Sequence, residues 1–203
     1  EDATVLMGNY LEGLTAPDGF APDTVVSTDV ATENLLPDSA AGWKGRIDLA
    51  IDHHPSQEFF AKNTCLDAKR AACGELIYDI VRQWGPLSHR TALPLYVALA
   101  TDCGCFVYSN TNASAHRVAA ALMETGIDVY PINRLHFRSK SLKRLKLEGQ
   151  LTAGMELRDN GATALVFLTQ RMIQELGADE RDMDNISAFV GQIEGVKNGI
   201  TLK

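Results

Sequence analysis

The sequence predicts an α/β fold, a mostly parallel sheet with helices on both faces, and three observations predict it. Two runs rich in β-branched and aliphatic residues, Thr24-Val25-Val26-Ser27-Thr28 and Ile47-Asp48-Leu49-Ala50-Ile51, read as strands, and each stops at a carboxylate, Asp29 or Asp52. Beyond them, Leu76, Ile77, Ile80, Val81 and Trp84 recur at helical spacing within 71–85, and a second helical run reaches Ala100 just before a third acid, Asp102. Strand and helix alternating along a chain favour a parallel sheet, whose carboxyl edge is where such folds bind ligands.

Each element has a local reason. Thr4-Val5-Leu6-Met7 reads as a first strand, Asn9 to Leu14 as a brief helix, and Thr15 to Gly19 as turn chemistry. Gly85 and Pro86 close the helix over 71–85, and Ser88 caps the next one. Cys103 and Cys105 are expected on one face of a short strand. A helix begins at Asn112 or Ser114 and ends at Gly126. From Pro131 to Glu148 the pattern is one long helix bearing Arg134, Arg138, Lys140, Lys143, Arg144 and Lys146, a charge run that is more simply a solvated connector than a nucleic-acid stripe.

A second unit opens near Leu151 with a strand to Met155. The turn Asp159-Asn160-Gly161 and a strand over 162–168 complete a hairpin signal. Thr169 caps a helix to Leu176, Asp184 begins another to Ile193, and 195–202 returns as strand.

Composition narrows the function classes. With 45% apolar and 22% charged residues over 203 positions, the chain has ordinary globular composition and room for one large core or two smaller ones. A net charge of -7 argues against a general grip on long nucleic acid, which needs a basic face. No apolar run approaches the roughly 20 residues of a membrane-spanning helix and no signal-peptide pattern opens the chain, so a cytoplasmic location is expected. Cys65, Cys73, Cys103 and Cys105 lack paired C-x-x-C spacing and are expected to be reduced thiols.

The stretch with chemical character is Ile51-Asp52-His53-His54-Pro55. Successive side chains of an extended backbone point to opposite sides, so His53 and His54 cannot easily face one atom and should hold different jobs. Pro55 disfavours a helical conformation at His54 and keeps the pair extended. Asp29, Asp52 and Asp102, with the two histidines, all fall at predicted ends of elements in one sheet. Mixed oxygen and imidazole ligation suits Mn²⁺, with Mg²⁺, Co²⁺ or Fe²⁺ less favoured, and a thiolate-free set argues against structural zinc.

These residues resemble the DHH phosphoesterases, most closely the bacterial oligoribonuclease/pAp-phosphatase branch often called nanoRNases. The matching stretches are Val25 to Asp29, Ile51 to Pro55, Ala100-Thr101-Asp102-Cys103-Gly104 with Tyr108-Ser109-Asn110-Thr111, and the helix His116-Arg117-Val118-Ala119-Ala120. The resemblance implies a DHH domain over 1–130, a connecting helix over 131–150, and the beginning of the DHH-associated substrate-binding domain over 151–203. The family's upstream His and Asp-x-Asp motif has no match before Asp29, and its Gly-Gly-His segment has none later. Residues upstream of Glu1 and beyond Lys203 are expected to supply them.

By the same resemblance Asp29 bridges two Mn²⁺ ions, with Mg²⁺ or Co²⁺ as substitutes, and His53 and Asp102 ligate one of them. His54 contacts the substrate phosphate or its attacking water, Asp52 orients its neighbours, and Asn110 and His116 are weaker substrate contacts. The implied activity is two-metal hydrolysis of short oligonucleotides or of 3'-phosphoadenosine 5'-phosphate, by a protein that is a possible homodimer. The alternatives are a cyclic-dinucleotide, pyrophosphate or polyphosphate hydrolase of the same superfamily, and a non-catalytic nucleotide-binding module.

Overall fold

The computed structural model describes residues 20–183 and 185–203. The strand, helix and turn expected between Thr4 and Gly19, and the helix start at Asp184, lie outside the described residues. The chain divides between Arg138 and Ser139 into two compact units.

Among the described residues, the first unit holds three strands in the order β1 (Val26–Thr28), β2 (Leu49–Asp52), β3 (Asn63–Leu66), all parallel. This is the expected α/β architecture. Thr28 pairs with Ile51 and Asp52 with Leu66, so β1 and β2 end side by side and Asp29 emerges next to the Asp-His-His turn. Strand β3 carries no apolar run that marks it in the sequence. Its residues alternate between exposed and half-buried, and pairing with β2 makes it a strand.

Helix α1 (Cys73–Val81) lays Cys73 and Leu76 on Ile51, joining helix to sheet. Helix α2 (His89–Asp102) is capped by Ser88 Oγ, which accepts from the Thr91 amide, and α3 (Ala113–Met123) by Asn112, which accepts from Ala115. Leu99 and Leu122 are fully buried where these helices meet. Truncating such a leucine costs about 2–5 kcal/mol.

The expected strand at Cys103 and Cys105 is corrected. Cys103 caps α2, and Gly104, Cys105 and Phe106 follow with φ of 53°, 54° and 66°, a left-handed turn that no strand can contain. Asp102 therefore ends a helix rather than a strand of the sheet.

The single long helix expected over 131–148 is also corrected. Helix α4 (Val129–Asn133) opens into a π-turn over Arg134–Arg138, and a new helix, α5 (Leu142–Ala153), starts at Ser141. Ser141 is extended and its hydroxyl accepts from Arg144, which ends one helix and caps the next. Nor is the charge run simply solvated: Lys140 and Arg144 both bond the buried Glu148, at 2.9 and 2.8 Å.

The second unit runs from Ser139 to Lys203. Residues 151–153, expected as strand, complete α5 because Leu147 and Leu151, one helical turn apart, are both buried. The hairpin turn and its second strand form where predicted, but the first strand lies later than the expected 151–155: β4 (Glu156–Arg158) pairs antiparallel with β5 (Thr163–Phe167) across Asp159 and Asn160, whose φ values are 51° and 54°. Thr169 caps α6 (Gln170–Leu176), and β6 (Asn198–Leu202) pairs parallel with β5. The helix expected to reach Ile193 is a 3₁₀ segment, Ile186–Gln192.

Candidate metal centre

Parallel pairing of β1 and β2 brings Asp29 to the Asp-His-His turn, and the left-handed conformation of Asp29, φ 61°, turns its side chain out of the strand direction. Its amide still donates to Ile51 O at 3.0 Å, so the strand ladder holds the residue in a conformation costly for most non-glycine residues.

His53 Nε2 lies 3.4 Å from Asp29 Oδ1 and 3.4 Å from Asp102 Oδ2. The three residues read from separate stretches of sequence thus meet at one atom. On the other side of the ring, Nδ1 is 3.2 Å from the main-chain oxygen of Arg70. A carbonyl only accepts, so Nδ1 carries a hydrogen, and when the ring is neutral the lone pair at Nε2 faces two carboxylates. In that form the three groups converging on one point are all acceptors, a set that fits a cation.

The surroundings of Asp102 add to this. Burial and, after it, the charge of Asp29 raise its carboxyl above the usual range, against the lowering pull of His53 and His54. It also ends α2, where the helix dipole disfavours negative charge. A divalent ion would offset both costs.

Because β2 ends at Asp52, alternation does not separate the two rings: their centroids are 4.5 Å apart, and His54, like His53, approaches Asp29 Oδ1, which corrects the expectation that the pair could not face one atom. The His54 Nδ1 lies 2.7 Å from Asp52 Oδ1 and 3.8 Å from Asp29 Oδ1. One ligand atom each from Asp29, His53 and His54 falls within 4.8 Å of the others, while Asp102 joins them through His53. The Nδ1 of His54 is already committed to Asp52. The Asp52 hydrogen bond raises the His54 pKa, and partial burial opposes it.

Asp52 is wholly buried. Its Oδ1 accepts from the amides of His53 and His54 and from the His54 ring, and its Oδ2 accepts from Gln57 Nε2 at 2.7 Å. Burial pushes its pKa up, but the hydrogen bonds from the His54 ring and the two amides outweigh that and leave it lowered. Such partners orient metal-ligating residues and are part of how these sites work.

Asn110 is placed differently from the expected substrate contact. Its side-chain nitrogen donates to Ala71 O at 2.9 Å and Asp102 O at 3.0 Å, which makes it a strut between loop and helix end with both side-chain N–H groups engaged. His116 stacks on Phe106 with centroids 5.0 Å apart, an exposed packing partner.

Sequence reasoning missed Gln57, the Arg70 carbonyl and Glu75. A glutamate inside an otherwise small and apolar run, Ala71-Ala72-Cys73-Gly74-Glu75-Leu76, preceded by Arg70, was the available signal for a buried ion pair.

Fold and site together define an α/β protein with an acid and imidazole centre at the carboxyl edge of a parallel sheet. No protein-family model matches the chain. It is similar to the probable bifunctional oligoribonuclease and PAP phosphatase NrnA of Streptococcus mutans, 26% identical over 174 residues, covering 85% of this chain and 55% of that relative. It is likewise similar to the NrnA of Thermus thermophilus, 29% identical over 173 residues, covering 83% of this chain and 51% of that one. Among solved structures, an exopolyphosphatase-related protein from Bacteroides fragilis shares the fold with a TM-score of 0.76 at 22% identity, over 86% of this chain and 53% of that one. The chain spans about half the length of the curated relatives it matches. By sequence the chain is thus similar to NrnA relatives over most of its own length, and it shares its fold with the exopolyphosphatase-related protein.

Proposed function

We propose that this protein is a metal-dependent phosphoesterase that hydrolyses short oligonucleotides, 3'-phosphoadenosine 5'-phosphate, or both. The names of the NrnA relatives support the phosphoesterase class. The observation that carries the reading is the placement of His53 Nε2 at 3.4 Å from each of two carboxylates, with its other nitrogen donating to a carbonyl.

Asp29, His53 and Asp102 would hold the cation, and Mn²⁺ suits their mixed oxygen and nitrogen donors. In its fuller form this reading has two ions, and Asp29 would be among the residues that hold them. Bound divalent cations supply positive charge to phosphate oxygens and lower the pKa of water toward neutrality.

The remaining work falls to the chain's own groups. Asp52 holds the His54 ring through Nδ1, so His54 offers Nε2 to an incoming phosphate. The raised pKa of His54 favours the protonated ring, which donates from Nε2 to a phosphate oxygen or delivers a proton to the leaving oxygen. Asp52 stays ionised and keeps that ring in one orientation. The domain reading, a DHH domain to about residue 130 followed by the opening of a substrate-binding domain, belongs to the same proposal, as does a homodimer.

The test is hydrolysis of di- to pentanucleotides and of 3'-phosphoadenosine 5'-phosphate by purified protein with Mn²⁺, beside pyrophosphate as a control substrate. Turnover of the nucleotides that His54→Ala abolishes, with the circular dichroism spectrum unchanged, supports the reading. Unchanged turnover in His54→Ala, or turnover of pyrophosphate alone, contradicts it.

A further inference from the structure

We propose that Arg70 is a positioning residue: its guanidinium, clamped among acids, holds its own carbonyl where it fixes His53 in the Nδ1–H form and turns Nε2 toward Asp29 and Asp102. The inference rests on the cation-binding reading of those three residues and names what aligns them.

Residues 69–71 belong to the connection between β3 and α1 and make no strand or helix of their own. They are nonetheless tied at every peptide. The Lys69 carbonyl accepts from Asn112 Nδ2 at 3.2 Å, the Arg70 carbonyl from His53 Nδ1 at 3.2 Å, and the Ala71 carbonyl from Asn110 Nδ2 at 2.9 Å. The Ala71 amide donates to Glu75 Oε1 at 2.8 Å.

The Arg70 side chain locks this arrangement. Its Nε reaches Asp67 at 3.2 Å, Nη1 reaches Glu75 at 3.3 Å and Ser114 Oγ at 3.0 Å, and Nη2 reaches Asp79 at 2.5 Å. Glu75 is fully buried, and Ser114 Oγ also donates to its Oε2 at 2.6 Å. A buried carboxylate cannot readily lose its cationic partner, so the guanidinium cannot swing away without stranding Glu75. A planar fork that bonds several acceptors at once is a geometry lysine does not reproduce.

The consequence is chemical. An imidazole whose Nδ1–H is held by a carbonyl presents Nε2 as a ligand, and weakening such an orienting contact lowers metal affinity by about 10- to 100-fold. If the carbonyl drifts, the ring can hold its proton on Nε2 and donate it to Asp29 or Asp102, which closes the site to a cation.

The experiment compares wild type with Arg70→Lys and with the double variant Arg70→Met/Glu75→Gln, in which no buried carboxylate is left unpaired. Circular dichroism verifies that each is folded. Long-range proton–nitrogen spectra of the metal-free protein, at a pH where His53 is neutral, read its tautomer, and calorimetric titration with Mn²⁺ reads affinity.

The expected result is an Nδ1–H tautomer in wild type, an Nε2–H population in both variants, and Mn²⁺ affinity reduced about 10- to 100-fold. A role in stability alone would lower the melting temperature and move neither reading. The proposal is overturned if His53 keeps the Nδ1–H form and wild-type affinity in the folded variants, or if wild-type His53 is itself Nε2–H. Absence of Mn²⁺ binding in wild type would defeat the cation reading instead, and the tautomer comparison would still decide the role of Arg70.

Discussion

The buried carboxylate of Asp52 and the ring of His54 are joined by a 2.7 Å hydrogen bond, Oδ1 to Nδ1, and the same oxygen receives the amides of His53 and His54. One carboxylate therefore fixes both the turn and the imidazole it presents. Asp52→Asn keeps the size but places a neutral amide against three donors. The expected loss is about 1–3 kcal/mol of stability in urea unfolding, together with most of the hydrolytic activity. Wild-type stability in this variant would mean that Asp52 is not the organising acceptor.

A pH dependence follows from the same pair in the metal-free protein. The folded pKa of His54 lies above its unfolded value, so its stabilising contribution is complete below the unfolded value of about 6.5 and is lost as pH rises through the folded one. Asp52 runs opposite: its folded pKa is depressed, so its contribution is present above the unfolded value and disappears as pH falls through the folded one. Urea unfolding at a series of pH values should show both flanks. His54→Gln should remove the alkaline one, and an unaltered alkaline flank in that variant would assign it to another group.

Cys73 lies behind the site, with its sulfur 3.2 Å from the Ile51 carbonyl, and burial pushes its thiol up to about 12. The thiolate is the reactive form, so Cys73 should resist iodoacetamide at neutral pH while the exposed Cys65 is modified. Mass spectrometry of the alkylated native chain distinguishes them. Comparable labelling of the two would mean that the sheet-to-helix contact opens readily.

Gly104 follows the acid-bearing end of α2 with φ 53°, and a Cβ there would sit 2.5 Å from the Tyr108 ring. Tyr108 is half exposed and its ring can shift, which leaves the left-handed backbone as the main cost. Gly104→Ala should destabilise the chain by about 1–2 kcal/mol and weaken cation binding by displacing Asp102. A variant with unchanged melting temperature would show that the turn has other ways to relax.

The sequence made the site more legible than the fold. Strands β1 and β2 were readable because each is an apolar run ending at an acid, but strand alternation does not carry past Asp52, and both histidine rings approach Asp29. Strand β3 was not readable: Asn63-Thr64-Cys65-Leu66 is a strand because β2 offers it a partner. The helix over 131–148 failed for a different reason. Its periodicity and charge persist across the junction, and the break is set by one serine adopting an extended conformation and capping the next turn. Asp102 was found by its residue type at the boundary after the expected helix, which runs two residues further than expected and includes it. The contacts of Asn110 and Arg70 are made by or to main-chain carbonyls, which no side-chain pattern announces.

The central claim is that Asp29, His53 and Asp102 share a divalent cation. Calorimetric titration of the purified chain with Mn²⁺, set beside Asp102→Asn and His53→Ala, tests it most directly. The account predicts saturable binding in wild type, with binding in each variant weakened beyond detection or by at least about tenfold. Equal affinity in all three proteins, or no binding in any, would contradict it.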